Sequence, residues 1–214
     1  MAEETNPWLA APLEEYEAHM LSPRVRQLAK LADLFGRALA IRRPESVALL
    51  GIAGGNGLDR IDPAVTRRII GYDINPDYLR ETAARYQTLA GLDLRCADLA
   101  RAASDAEPVK LVHAALIFEH AGLGRCLEYA LALVAPGGAL SVVLQLPSDS
   151  EPDVGDTGYE SIQALAAGFQ LVDPPHFQAL VEAHGFRLQL EQTEPAGSGK
   201  SLWFAIFERI ESRP

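Results

Sequence analysis

Gly54, Gly55 and Gly57 occupy three of four positions directly behind the apolar run 46–52, in the stretch ALLGIAGGNGLD. Glycines there admit positive φ and let a ligand touch the main chain. Asp73 closes a second apolar run and Asp98 follows a third. A carboxylate at the end of a second strand can accept from both hydroxyls of a ribose. One just past the third strand can accept from an adenine amino group. A glycine loop, a ribose acid and an adenine acid, in that order, form the series of a nucleoside site. Other groups able to move protons are Glu119 and His120 after a fourth run, His113 within it, and Tyr16 and His19 near the N-terminus. His120 reads either as a general base or as a helix-cap or surface residue. His113 reads as a hydrogen-bonded core histidine.

These groups must be positioned by an alternation of strands and helices. Apolar, doubly covered strands are expected at 46–52, 67–74, within LDLRCADL, within VKLVHAALIF and within ALSVVLQLP. A helix is expected from Ser22 as N-cap and Pro23 at the first turn, with Val25, Leu28, Leu31, Phe35 and Leu39 on one face. A second runs from Asn75 and Pro76 to Gly91, and a third is ended by Pro136-Gly137-Gly138. LEEYEAHM is a shorter helix or an ordered arm. After Pro147 come a polar loop, a weak helix near 161–167 and another starting at Asp173-Pro174. The chain closes with the strands FRLQLEQTE and KSLWFAIFERI, joined by PAGSGK as an antiparallel hairpin. The fold class is therefore α/β: a Rossmann-like, seven-stranded, mostly parallel sheet with helices on both faces and a C-terminal antiparallel hairpin.

Bulk properties narrow the functions. The 214 residues suit one domain; 48% are apolar and 22% charged, an ordinary globular balance. A formal charge of −10 argues against nucleic acid as a partner. Cys96 and Cys126 have no C-x-x-C spacing, which fits a reducing compartment. No signal peptide and no membrane span are expected, so the protein is read as cytoplasmic. The dinucleotide fingerprint G-x-G-x-x-G lacks its third glycine, because Leu58, Asp59 and Arg60 follow Gly57. No P-loop is present around this loop, and GSGKS at 197–201 joins two strands instead of opening a helix. No metal site is expected, since His113, Glu119 and His120 have no zinc-like spacing.

Taken together, GIAGGNG, GYDINPDYL, CADLA, LVHAALIFEHAG, the PGG before the fifth strand and the closing hairpin resemble class I S-adenosylmethionine-dependent methyltransferases. The resemblance spans roughly residues 45 to 210. PWLAAPLEEYEAHM and VVLQLP further suggest a small bacterial subgroup. Two positions depart from the family: Gly51 stands where an acid is usual, and Ala53 replaces the first glycine. The resemblance implies S-adenosyl-L-methionine as cofactor and S-adenosyl-L-homocysteine as product. It implies main chain at Ala53, Gly54, Gly55 and Asn56 near the methionine part, Asp73 on the ribose and Ile74 on adenine. Ala97, Asp98 and Leu99 would read the adenine edge, with Ala114 or Ala115 beneath the sulfonium. Glu119 then has a second role open to it, meeting the cofactor's amino end, and Tyr16 and His19 lie in an arm (residues 1–44) able to fold over the cofactor. Absence of an NPPY-like turn after the fourth strand argues against the amino-methylating DNA and protein enzymes.

The organisation expected is a single domain over 1–214, with a cofactor-binding core at 45–146, a substrate-side cover at 147–177 and a closing helix and hairpin at 178–214. Tyr159, Phe169 and His176 are the aromatic options for a small-molecule acceptor. A homodimer is left open. Three functions compete: a small-molecule methyltransferase, a catalytically silent binder of the same cofactor, and a nicotinamide-dependent oxidoreductase. The closing hairpin weighs against the last.

Overall fold

The computed structural model describes residues 6–101 and 107–210, so parts of the expected arm and of the chain end lie outside it. Its elements, in chain order, begin with α1 (Leu13–Leu21), α2 (Leu28–Arg42), β1 (Ser46–Leu50), β2 (Arg68–Asp73), α3 (Pro76–Arg85) and β3 (Leu92–Cys96). There follow β4 (Val109–Ala115), α4 (Phe118–Ala121), α5 (Arg125–Leu133), β5 (Val134–Gln145), α6 (Glu160–Ala166), α7 (Pro174–Ala183), β6 (Phe186–Pro195) and β7 (Ser201–Arg209). The seven strands form one sheet in the order β3-β2-β1-β4-β5-β7-β6. β7 alone is reversed, pairing antiparallel with both β5 and β6.

Side-chain alternation along the strands divides the core into two layers. Val47, Leu49, Ile69 and Leu111 face Leu34, Phe35 and Ala38 of α2. Ala48, Leu50, Ile70, Val112 and Val142 face Leu127, Ala130 and Leu131 of α5 and Phe177 and Val181 of α7. Helices therefore cover both faces, which is why the central strands read as unbroken apolar runs. Strand order reverses between β1 and β4, the place where such sheets open a crevice at their carboxyl ends.

Several boundaries differ from expectation. The helix expected from Ser22 starts at Leu28 instead. Val25 and Arg26 both donate to the Ser22 carbonyl in a tight turn, and Arg26 then takes φ 48°, which no helix continues through. This turn buries Val25 and lets its carbonyl accept from Gly197 of the β6–β7 connection. α3 ends at Arg85, six residues before Gly91, because Tyr86 turns in against the glycine loop. Asn75 caps α3 as expected, its side chain accepting from Asp77 N at 2.9 Å. Pro136-Gly137-Gly138 lies inside β5 and does not itself end the helix, and Phe118, placed in the fourth strand from sequence, opens α4. Leu116, with φ 55°, is the residue that breaks β4 off.

Candidate active site

A cavity of about 160 Å³ opens where β1, β2 and β4 end. That is several times the space one water needs. Its first wall is the β1 loop. Gly51 and Ile52 both donate to the Tyr72 carbonyl at 2.9 Å, fixing the strand's exit. Gly51 has φ 72°, and a Cβ there would sit 3.0 Å from Ile117 Cδ1. The expected acid is thus absent at a position whose backbone suits glycine. Ala53, the second departure, holds φ 47° without being glycine. It is kept there by two bonds: its N–H donates to Asp73 Oδ2 at 2.8 Å, and its carbonyl accepts from Thr82 Oγ1 at 2.7 Å.

Asp73 is the organising side chain. It is 7% exposed and lines the cavity. Oδ1 accepts from Asn75 N at 2.9 Å while Oδ2 takes Ala53 N. Burial raises its pKa, and these main-chain donors oppose that rise. A carboxylate has about four lone-pair sites; the main chain at Asn75, Ala53 and Ile74 draws on some of them and leaves acceptor capacity toward the cavity. Asn75 also donates from Nδ2 to the Trp8 carbonyl at 2.8 Å, tying the N-terminal arm to the same corner. Ile74, Ala97, Asp98 and Leu99 continue the wall. Asp98 accepts from Ala100 N at 3.0 Å and meets Arg101 Nε at 3.6 Å.

Aromatic rings close the cavity from outside. Trp8 meets Tyr16 edge-on at 5.6 Å and His120 edge-on at 4.8 Å. Tyr16 stacks on Tyr78 at 6.3 Å, and His120 meets Phe169 at 5.1 Å. Tyr78 lines the cavity with a buried hydroxyl that has no partner among the described residues. Burial pushes the His120 pKa down to about 4, so its ring is neutral at pH 7 and a weak base. His19 donates or accepts through Nδ1 with Thr157 Oγ1 at 2.8 Å; burial, then the Lys200 charge, lowers it to about 4. Tyr16 is raised by burial and by the Asp73 and Glu17 charges.

Of the residues expected at the site, Ala53, Asp73, Ile74, Ala97, Asp98, Leu99, Ala115, Tyr16, His19 and His120 all line this cavity. Five do not. Ala114 points into the core beneath it. Gly54 and Asn56 line an adjoining cavity of about 50 Å³ that shares Tyr16, Gly51, Ala53 and Ala115 with the first, and Asn56 Nδ2 donates to the Leu28 carbonyl at 2.8 Å. Gly55 lines neither, being covered by Tyr86. Glu119 is 1% exposed and turned inward, with Oε1 accepting from Gln145 N at 2.8 Å and Oε2 buried without a partner among the described residues. Burial pushes its pKa up to about 7. Above Gly54, the Glu17–Arg85 ion pair bridges α1 and α3.

Of the acceptor-side aromatics, Phe169 reaches the cavity. Tyr159 packs with Ile162 and Leu165, and His176 is exposed at the start of α7. Sequence reasoning missed Trp8, Tyr78, Gln27, Gln145 and Lys200, all on the cavity wall. Lys200 is the instructive omission: GSGK is indeed a strand connection, but its lysine is folded inward. The only available signal was a lone cation opening an otherwise apolar strand.

No protein-family model matches the sequence, and no curated protein is detectably similar to it. Similarity appears in three dimensions. The N-methyltransferase NodS of Bradyrhizobium japonicum WM9, in complex with S-adenosyl-L-homocysteine, superimposes with a TM-score of 0.61 at 15% identity, over 98% of this chain and 94% of that one. Magnesium protoporphyrin IX methyltransferase ChlM of Synechocystis PCC 6803, with the same molecule bound, gives 0.62 at 12% identity, over 84% and 82%. The [4+2]-cyclase SpnF gives 0.64 at 13%, over 86% and 81%. The chain has the class I methyltransferase fold.

Proposed function

We propose that this protein is an S-adenosylmethionine-dependent methyltransferase acting on a small molecule. The observation that carries the proposal is Asp73, buried at the end of β2, on the cavity wall, with lone pairs to spare after anchoring the glycine loop. Two ribose hydroxyls are the donors such a carboxylate fits. The unpartnered Tyr78 hydroxyl supplies a further polar contact in the same wall. The neighbours named above, two of them with the demethylated product bound, support the same cofactor.

Held by Asp73 and the main chain of the β1 loop, the cofactor would supply an activated sulfonium methyl group for direct transfer to the acceptor. The chain's contribution is alignment and exclusion of water. Trp8, Tyr16, His120 and Phe169 do the latter. His120 lines the cavity and, neutral at pH 7, would be the candidate to take a proton from a hydroxyl or ammonium acceptor, although burial makes it a weak base. Isothermal titration with S-adenosyl-L-homocysteine tests the proposal. Micromolar binding that Asp73→Ala abolishes is the expected result; no binding by wild type refutes it. An exposed free Cys96 fits action in a reducing, cytoplasmic setting.

A second reading has support of its own. Gly51 offers no carboxylate to the cofactor's amino group, and Glu119 faces away from the cavity. A protein with this fold is named a cyclase, so the fold alone does not dictate methyl transfer. Tight cofactor binding with no methylated product across an acceptor panel supports a silent binder.

A further inference from the structure

The part of the cavity wall where β7 begins contains a buried cation. Lys200 opens the wall at the start of β7 and is 4% exposed. Its ammonium donates to the Asp153 carbonyl at 2.7 Å, and it forms no ion pair within 4.0 Å among the described residues. An ammonium has three donors, so two remain unused. The Asp153 and Glu151 carboxylates are near enough to be felt, as is the Arg24 guanidinium, but Glu151 is paired with Arg24 at 3.2 Å. Burying an ammonium costs several kcal/mol; the Asp153 carboxylate, itself on the cavity wall, offsets part of that without reaching ion-pair distance.

Neutral amides flank the cation. Gln145 Nε2 donates to the same Asp153 carbonyl at 2.7 Å, so it lies no more than about 5.4 Å from Lys200 Nζ. Gln27 Nε2 donates to Gln145 Oε1 at 3.1 Å, holding that side chain in place. The cavity wall also carries Met20, Val25, Val154, Ile162, Leu165 and Phe169, with His19, which feels the Lys200 charge, as a further polar group. We propose that this part of the site binds an acceptor with an apolar body and one carboxylate, which pairs with Lys200. The proposal rests on the methyltransferase reading and specifies its substrate class. A monoanion is favoured over a phosphate dianion because, among the described residues, Lys200 is the only lysine or arginine lining the cavity. An amine acceptor would carry its own positive charge against the same ammonium.

The test titrates benzoate and octanoate, each against its neutral amide, into protein saturated with S-adenosyl-L-homocysteine. At least one acid should bind tenfold or more tightly than its amide. Lys200→Met should erase that preference and Lys200→Arg should retain it, while product affinity stays within twofold in both. A lysine that merely tethers the 147–157 loop would change melting temperature in Lys200→Met but leave the acid-to-amide ratio unmoved, and that result overturns the proposal. So does the absence of any acid preference in wild type. Should Lys200→Met fail to fold, Lys200→Gln serves with the same readout. Product that binds normally while acids do not would refute this inference and leave the methyltransferase assignment standing; product that does not bind at all refutes the latter.

Discussion

Glu119 should make this protein less stable in alkali, and Glu119→Gln should cure it. The carboxyl is 1% exposed, gives Oε1 to Gln145 N and leaves Oε2 with no donor. Burial holds its pKa at about 7 against an ordinary 4.5. A carboxyl whose folded pKa exceeds its unfolded one keeps its proton longer in the native state. Its stabilising contribution is complete below pH 4.5 and drains away as pH rises through about 7. At about 1.4 kcal/mol per pKa unit, the whole window is worth roughly 3 kcal/mol. Glutamine imitates the protonated acid, retaining an acceptor for Gln145 N and carrying no charge. Its own packing and orphaned amide contribute an offset that does not change with pH. The stability advantage of Glu119→Gln over wild type should therefore grow by about 2 kcal/mol between pH 5 and pH 8. In a chain of this size that is a widening in melting temperature of roughly 4–8 °C. Urea unfolding of both proteins across the pH range reads it directly. A difference that stays flat with pH would show that Glu119 is already ionised at low pH, and that its buried oxygen finds a donor absent from the structure.

Gly51→Ala should lower stability by about 1–2 kcal/mol, since its left-handed φ is held against Ile117; calorimetry showing no loss contradicts that backbone. Ala53→Gly should be neutral or slightly stabilising, because relief of about 1–2 kcal/mol at φ 47° is offset by about 0.4–1 kcal/mol of unfolded-chain entropy. Trp8→Ala removes two edge-on ring contacts worth roughly 1–3 kcal/mol together, so stability in denaturant titration should fall by at least that much; an unchanged unfolding midpoint contradicts the packing. His19 and His113 are buried and His120 is half-buried, and desolvation lowers their pKa values to about 4, 3 and 4. Each is neutral when folded and takes a proton when unfolded below about 6.5. Glu119 and Asp73, both raised, act the other way. Stability should still fall by roughly 1–3 kcal/mol per pH unit between pH 6 and 5, which denaturant titration at the two values checks.

Local sequence was enough to determine the strand–helix alternation, the caps at Asn75 and Asp173, the closing hairpin and the corner built from the β1 loop, Asp73 and Asp98. All of these depend on short-range patterns: apolar runs of strand length, Asx-Pro helix starts, and carboxylates at strand ends. Tertiary structure alone decided the rest. The turn at Val25–Arg26 overrides a good Ser-Pro helix start because Val25 is needed in the core and against Gly197, about 170 residues further along the chain. Glu119 looked like a site residue because it follows β4, yet the short α4 rotates it inward to Gln145 while its neighbour His120 meets Trp8 and Phe169. Lys200, Gln27 and Gln145 converge from a hairpin, a helix entry and a strand end. No spacing in the sequence joins them, because burial and hydrogen bonding across distant segments, and not local propensity, bring a cation to that wall.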